Sequence, residues 1–222
     1  ISACLVGSEM CIRDSHLPAE KIPDAVAVLD PKREDCNYPF KELSGCGIGF
    51  KLVQAYCKAN NLPSKKYECY LDLCMVSIAA DIVAIVDENR ILAHFGLLKI
   101  NENPCHGLQA LMQISGKTNT YDITDVVFKI APRINAAGRM GDAKNAVKIL
   151  LSNEVKLADE QSLFINAQNT ERKSFDQNIT AEALALIEEN ENLINKKSTV
   201  VFKNDWNKGV IGIVASRLIE TY

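Results

Sequence analysis

Two guanidinium groups stand six residues apart in the stretch FKIAPRINAAGRMGDAKNAVKILL, Phe128 to Leu151. Arg133 and Arg139 are separated by small residues, with Asn135 between them and Gly138 and Gly141 at the end of the run. Pro132 fixes φ and lacks an N–H, so it is expected to stop the apolar alternation Phe128-Lys129-Ile130. The glycines are expected to take positive φ and let the backbone approach a ligand. Asp142 can cap a helix built on Ala143, Ala146, Val147, Ile149, Leu150 and Leu151. A Gly-rich turn with two arginines leading into a helix N-terminus would offer fixed donors to a phosphate. A plain tight turn with two solvated arginines uses the same residues, and for Arg-and-Gly turns in general it is the commoner reading.

A second unit of this kind lies near the end. Thr199-Val200-Val201-Phe202 reads as a strand, followed by a loop with Trp206, Asn207 and Lys208 and by a helix opening at Gly209. Trp206 could stack on a base and Lys208 could meet a phosphate. Glycines and a Trp packing a strand-to-helix turn is the plainer alternative. One carboxylate stands out upstream. Asp81 sits in YLDLCMVSIAADIVAIV, Tyr70 to Val86, apolar nearly all round and therefore expected to be core. A buried carboxylate needs a partner. Capping, pairing with a buried arginine and ligating a metal all answer that need.

These residues need elements to hold them. Ala25 to Leu29 is a continuous apolar run of strand length and reads as a buried parallel strand. Ser44 can cap an amphipathic helix from Ile48 to Ala59, which Asn60 to Pro63 ends. Asp87 to Arg90 reads as a turn before a helix from Ile91 to Leu98. A short helix follows over Gly107 to Ile114, then a polar connector. Residues 154–191 read as one or two long helices with an apolar stripe of Leu157, Leu163, Phe164, Ala167, Phe175, Ile179, Ala183, Leu184, Leu186 and Ile187. Their charged outer face is Glu171, Arg172, Lys173, Glu182 and Glu188. His94 and His106 lack acidic neighbours in sequence and read as surface or packing residues.

The chain has 222 residues, 47% hydrophobic and 24% charged, an ordinary globular composition. Its net charge of −3 excludes a generally basic nucleic-acid binder, so any polyanion contact must be local. No apolar run reaches the roughly eighteen residues a membrane helix needs. None of the eight cysteines form a C-x-x-C pair, which argues against zinc. Without a secretory signal, a reducing, cytoplasmic setting is expected. Both ends look cut. The first fifteen residues, ISACLVGSEMCIRDS, show no recognisable period and are set aside as a spurious segment.

The order of these blocks is more specific than any one of them. SHLP with AVAVLDP, LSGCGIGFKL, LDLCMVSIAADIVAIVDENR, PRINAAGRMGDAKNAVKILL and DWNKGVIGIVASRLIETY follow one another from His16 to Tyr222. In this order they resemble the RecJ-type single-strand-specific exonucleases of the DHH phosphoesterase superfamily. The resemblance implies an α/β fold. Residues 16–122 would be the C-terminal part of a parallel-sheet DHH domain, and 123–195 the phosphate-contacting turn and interdomain helices. Residues 196–222 would start a smaller α/β DHHA1 domain. It further implies hydrolysis of single-stranded DNA from the 5′ end, in recombination and repair, with two Mn²⁺ or Mg²⁺ ions. The expected assembly is a monomer in the cytoplasm, with repair or recombination proteins as possible partners.

Residue by residue, the resemblance makes Asp81 a metal ligand and His16 a phosphate contact with a catalytic role. Arg139, Ser216 and Arg217 would contact phosphate. The wider candidate surface is Arg133, Asn135, Gly138, Trp206, Asn207, Lys208 and Gly209. The departures are specific. Ser15 stands where the family has the first histidine of its Asp-His-His motif, Asn207 where many members have histidine, and Ser77-Ile78 where Gly-Thr is commoner. The upstream aspartate motifs are absent, so the segment alone is expected to be inactive. Two alternatives stand beside this one: a superfamily phosphodiesterase acting on oligonucleotides or cyclic dinucleotides, and a non-catalytic DNA-binding relative.

Overall fold

A computed structural model describes residues 12–189 and 197–221. The chain forms two compact units, residues 1–105 with 117–131, and residues 106–116 with 132–222. The short helix after Pro104 therefore packs with the second unit, although it lies in sequence within the span expected for the first domain.

The first unit is mainly helical. Its only ladder among the described residues pairs β1 (Ile12–Arg13) in parallel with β2 (Val28–Leu29). The amide of Asp14 continues it to the carbonyl of Leu29 at 3.1 Å. The expected five-residue buried strand is thus two residues long and partly buried, and Val26 is 73% exposed. An apolar run without paired strands on both sides has no sheet to bury it. The segment set aside in the sequence also contributes backbone: β1 and Asp14 belong to it. Its first eleven residues lie outside the described part.

Helix α1 (Gly45–Ala59) begins where Ser44 Oγ accepts the amide of Gly47 at 3.1 Å, as its position before the apolar stripe suggests. Ile48, Phe50 and Cys57 are buried. After the short helix α2 (Lys65–Glu68), α3 (Leu71–Asp81) crosses α4 (Asp87–Glu102) at Gly96. A Cβ placed on Gly96 would lie 2.3 Å from the carbonyl oxygen of Leu71, so only glycine lets the two backbones meet. The expected turn at Asp87 to Arg90 is instead the first turn of α4. Asn89 is buried there, and its Nδ2 donates to the carbonyls of Glu42 at 2.6 Å and Ala84 at 3.0 Å.

The buried carboxylate of α3 is Asp72, not Asp81. Asp72 is 0% exposed; its Oδ2 accepts the amide of Cys105 at 2.8 Å and lies 3.9 Å from Lys99 Nζ. It ties the start of α3 to the chain leaving α4. Asp72→Ala leaves that partly buried amide without its acceptor and is expected to cost about 2 kcal/mol. Urea unfolding would check this. An unchanged midpoint would mean that water replaces the carboxylate.

The connector is held as firmly. Asn101 Oδ1 accepts from the amide of Tyr121 at 2.7 Å, and Nδ2 donates to its carbonyl at 2.9 Å. Asp122 and Asp125 then form a reciprocal capping box on the single-turn helix α6 (Ile123–Asp125). Lys117, Asp122 and Lys129 together hold the Asp125 carboxyl below the usual carboxylate range, the Lys117 hydrogen bond most strongly.

In the second unit, α5 (His106–Ile114) and α8 (Lys144–Leu150) pack closely. A Cβ on Gly107 would lie 2.1 Å from the carbonyl oxygen of Ile149. Helix α9 (Val155–Glu188) has 34 residues and runs about 50 Å. Its buried positions are Ala158, Ser162, Ile165, Asn169, Asp176, Ile179, Ala183 and Ile187. In the C-terminal half this is the expected stripe. In the N-terminal half it is not: Leu157, Leu163 and Phe164 are exposed, while Ser162 and Asn169 are buried. The final helix α10 (Ile211–Thr221) packs on α9 through Val210, Val214, Ile179 and Ala183, with Met140, Phe175, Trp206 and Leu218 around them. Thr199 to Phe202 is not in a ladder, and Val200 and Phe202 are 82% and 75% exposed. Among the described residues it has no neighbouring strand to pair with. Among the described residues, no helix is long and apolar enough to cross a membrane.

Candidate nucleic-acid interface

The stretch carrying both arginines is a helix rather than a turn. Residues Val126–Ile130 form a π-helix, and α7 (Ala131–Met140) follows directly. The amide of Ala131 donates to the carbonyl of Val126, one residue farther back than in an α-helix. Pro132 thus falls inside a continuous helical run, just after the π turn, whose wider spacing gives its ring room. It does not break the helix. Gly138 and Gly141 keep negative φ; Gly116 is the one described glycine with positive φ. A Cβ on Gly141 would lie 3.0 Å from Gln168 Nε2, the tip of a flexible side chain.

The two arginines have different surroundings. Arg133 is partly buried, and its Nε donates to Asn166 Oδ1 at 2.9 Å. It braces α7 against α9. Arg139, half a turn past two fully buried alanines, is exposed and donates from Nη1 to the carbonyl of Gly209 at 3.2 Å. The carbonyl of Arg139 lies so close to Gly209 that a Cβ on the glycine would sit 2.1 Å away. The end of α7 and the loop before α10 therefore meet backbone to backbone. Asn135 and Gly138 are exposed on α7.

That loop is ordered by its own side chains. Asn207 Oδ1 accepts the amide of Gly209 at 2.8 Å. The indole N–H of Trp206 donates to Glu182 Oε2 at 2.9 Å, and Lys203 donates to the same oxygen at 2.9 Å. These bonds, the Trp206 bond foremost, hold the Glu182 carboxyl below its usual range. Trp206 is partly buried against the α9–α10 cluster, and Lys208 is exposed. On α10, Ser216 donates back to the carbonyl of Gly212 at 3.2 Å. Arg217 Nη2 reaches Asp176 Oδ2 of α9 at 3.0 Å.

Asp176 and Arg172 were not among the expected site residues. Arg172, read in sequence as part of the charged outer face, has a side chain only 14% exposed. Its Nη1 is 4.0 Å from Asp176 Oδ2, and its Nε donates to Asn169 Oδ1 at 3.3 Å. Burial first, and then the charges of Arg139 and Arg217, pull its pKa down, against the opposing pull of Asp176. Arg172 and Arg217 thus share one carboxylate, and Arg139 lies close enough to act on Arg172. The signal for this was the alternating three- and four-residue spacing of Ser162, Ile165, Asn169, Arg172, Asp176 and Ile179, which puts the two charges on the inner stripe.

The first unit carries the remaining candidates. His16 is 78% exposed in its side chain, and its Nδ1 lies 2.9 Å from Asp14 Oδ1. That bond, before any other cause, holds the Asp14 carboxyl below its usual range. Asp81 closes the last turn of α3 and is exposed, with Ser77 Oγ donating to Oδ2 at 3.3 Å. The expected buried location fails because Ile82 takes a left-handed conformation, φ 53°, and ends the helix there. Among the described residues no three His, Cys, Asp or Glu side chains converge on a possible metal position.

No family model matches the chain. Among curated proteins, it is 37% identical over 218 residues to the single-stranded-DNA-specific exonuclease RecJ of Bacillus subtilis, covering 98% of this chain and 27% of that protein. To the RecJ of Salmonella typhimurium it is 33% identical over 230 residues, covering 98% of this chain and 40% of the relative. Among solved structures, RecJ of Thermus thermophilus in complex with Mn²⁺ matches with a TM-score of 0.84 and 29% identity, over 97% of this chain and 32% of that one. A structure of exonuclease RecJ bound to manganese matches with a TM-score of 0.82, over 99% of this chain and 54% of that one. Sequence and backbone agree, and the chain is homologous to one segment of the RecJ single-stranded-DNA-specific exonucleases, spanning 27% to 40% of the length of these curated relatives.

Proposed function

We propose that this chain is the segment of a 5′→3′ single-stranded-DNA exonuclease that positions the DNA strand, within a metal-dependent phosphodiesterase acting in recombination and repair. The arginine cluster of the second unit carries this reading. Arg172 and Arg217 share one buried carboxylate, which leaves one positive charge over, and Arg139 adds another close enough to act on Arg172, in a chain whose net charge is −3. A phosphodiester backbone is the ligand that such a patch suits. Trp206, fixed by Glu182, and exposed Lys208 extend the surface toward a base and a further phosphate.

The metals would be Mn²⁺ or Mg²⁺, held mainly by residues of the whole enzyme beyond this segment, with Asp81 contributing one carboxylate. The T. thermophilus relative has been solved with each of these ions. His16, aligned by Asp14, would meet a substrate phosphate. With its metal ligands incomplete, the segment alone is expected to hydrolyse nothing. A monomer in the cytoplasm is the proposed setting, which the free thiols of Cys36, Cys57 and Cys69 suit.

Salt-dependent binding tests the reading. In the full-length protein, held in EDTA so that no cleavage occurs, Arg139→Ala and Arg217→Ala are each expected to weaken binding of labelled single-stranded DNA. The slope of log K against log salt should flatten by about one unit for each. Unchanged slopes in both variants would return these arginines to a structural role.

A further inference from the structure

Arg172 and Asp176 lie on the inner stripe of α9, beneath the proposed strand-binding surface and largely out of solvent. Asp176 is 3% exposed. Its Oδ2 accepts from Arg217 at 3.0 Å and faces Arg172 at 4.0 Å, while its Oδ1 is buried with no hydrogen-bond partner among the described residues. An incompletely satisfied buried carboxylate is a poor way to stabilise a fold, because desolvation offsets most of the attraction. What the arrangement does accomplish is geometric. Arg217 is 54% exposed, and its tip is held from below by a buried carboxylate at 3.0 Å. Arg172 is pinned too, by Asp176 and by Asn169.

We propose that Asp176 is a positioning residue that holds Arg217, with Arg172 behind it, as a preset pair of guanidinium groups for one backbone phosphate of a DNA strand. This rests on the reading of Arg217 as a phosphate contact and deepens it. An arginine free in solvent loses its rotamer freedom when it closes on a phosphate. An arginine already held loses less, and its planar fork is aimed before the strand arrives. The partner charges face one another across α9 and α10: Arg172 from the same helix as Asp176, Arg217 from α10, and Arg139 from α7, close enough to act on Arg172. Asp176 is the one acid ion-paired with Arg172 and Arg217 among the described residues.

Charge and positioning predict opposite signs for one substitution. Removing a carboxylate beside a phosphate site relieves repulsion and should tighten binding. Releasing Arg217 from its anchor should weaken it. In the full-length protein in EDTA, Asp176→Asn is expected to raise the Kd for a labelled single-stranded oligonucleotide about tenfold. On an Arg217→Ala background the same change should add nothing further, since there is no longer an arm to aim. A Kd unchanged or lowered in folded Asp176→Asn, as judged by its melting curve, would overturn the proposal. Should that variant not fold, Arg217→Lys serves instead. It keeps the charge on an exposed helix face but replaces the fork with a point charge, and is expected to bind nearly as weakly as Arg217→Ala. Wild-type affinity in Arg217→Lys would overturn the proposal. If Arg217→Ala itself leaves Kd and salt slope unchanged, the phosphate reading fails and this inference with it. If Arg217→Ala weakens binding and Asp176→Asn does not, only the positioning role fails.

Discussion

Replacing Gly96 with alanine is expected to destabilise the first unit by about 3 kcal/mol, although alanine is the better helix former. In an isolated helix the change would gain about 1 kcal/mol. Here the added methyl would stand 2.3 Å from the carbonyl oxygen of Leu71 and 2.7 Å from Met75 Cβ. Neither atom is the far end of a flexible side chain. Met75 is fully buried, and the Leu71 carbonyl belongs to the first turn of α3. Relief therefore requires α3 and α4 to separate, which opens the packing around Met75, Ile78 and Leu92. Gly212 supplies the control. It lies within α10, and a Cβ there meets nothing within 4 Å, so Gly212→Ala should be neutral or stabilising by up to about 1 kcal/mol. Urea unfolding of both variants in the full-length protein checks the pair. Equal midpoints would mean that the α3–α4 crossing relaxes without cost.

How far such contacts could be read from the sequence varied with their range. The capped helix at Ser44 was legible, since the cap and the apolar period are local signals. So was the C-terminal stripe of α9, where Ile179, Ala183 and Ile187 keep apolar identity at helical spacing. The N-terminal stripe was not. There the buried positions include Ser162 and Asn169, while Leu157, Leu163 and Phe164 stay exposed, so hydrophobicity pointed to the wrong face. The helical spacing of the buried polar residues held the information, but polarity argued against using it.

The carboxylates failed for a related reason. Asp72 and Asp81 sit in one apolar run, and nothing local says which is buried. The choice is made by Ile82, whose left-handed φ ends α3, and by the amide of Cys105, 33 residues from Asp72. The turn at Pro132 was misread because proline in a helix interior is costly, and a π-helix preceding it is a rare way around that cost. The candidate interface depended most on the order of the motif blocks. Residue types singled out Arg139 and the resemblance Arg217, while only the fold brings Arg172 and Asp176 beside Arg217.

Gly209→Ala is expected to be the single substitution that most disturbs the candidate interface while adding no charge and removing none. The new methyl would lie 2.1 Å from the carbonyl oxygen of Arg139, 2.9 Å from its carbonyl carbon and 3.1 Å from its Cα. Gly209 does not have positive φ, so the residue's own backbone accepts alanine, and the conflict is with the end of α7 alone. The loop must move away, taking with it the carbonyl that Arg139 donates to at 3.2 Å and the fully buried Val210 that follows. Overpacking of this kind costs about 1–3 kcal/mol. The melting temperature of the full-length protein should fall accordingly. Single-stranded-DNA affinity in EDTA should fall about tenfold, because Arg139 loses the contact that orients it. Combining Gly209→Ala with Arg139→Ala separates the two effects. If the loop acts on binding through Arg139, the double variant should bind no worse than Arg139→Ala alone. A lowered melting temperature with unchanged affinity would show that the contact between α7 and the loop serves the fold and not the strand.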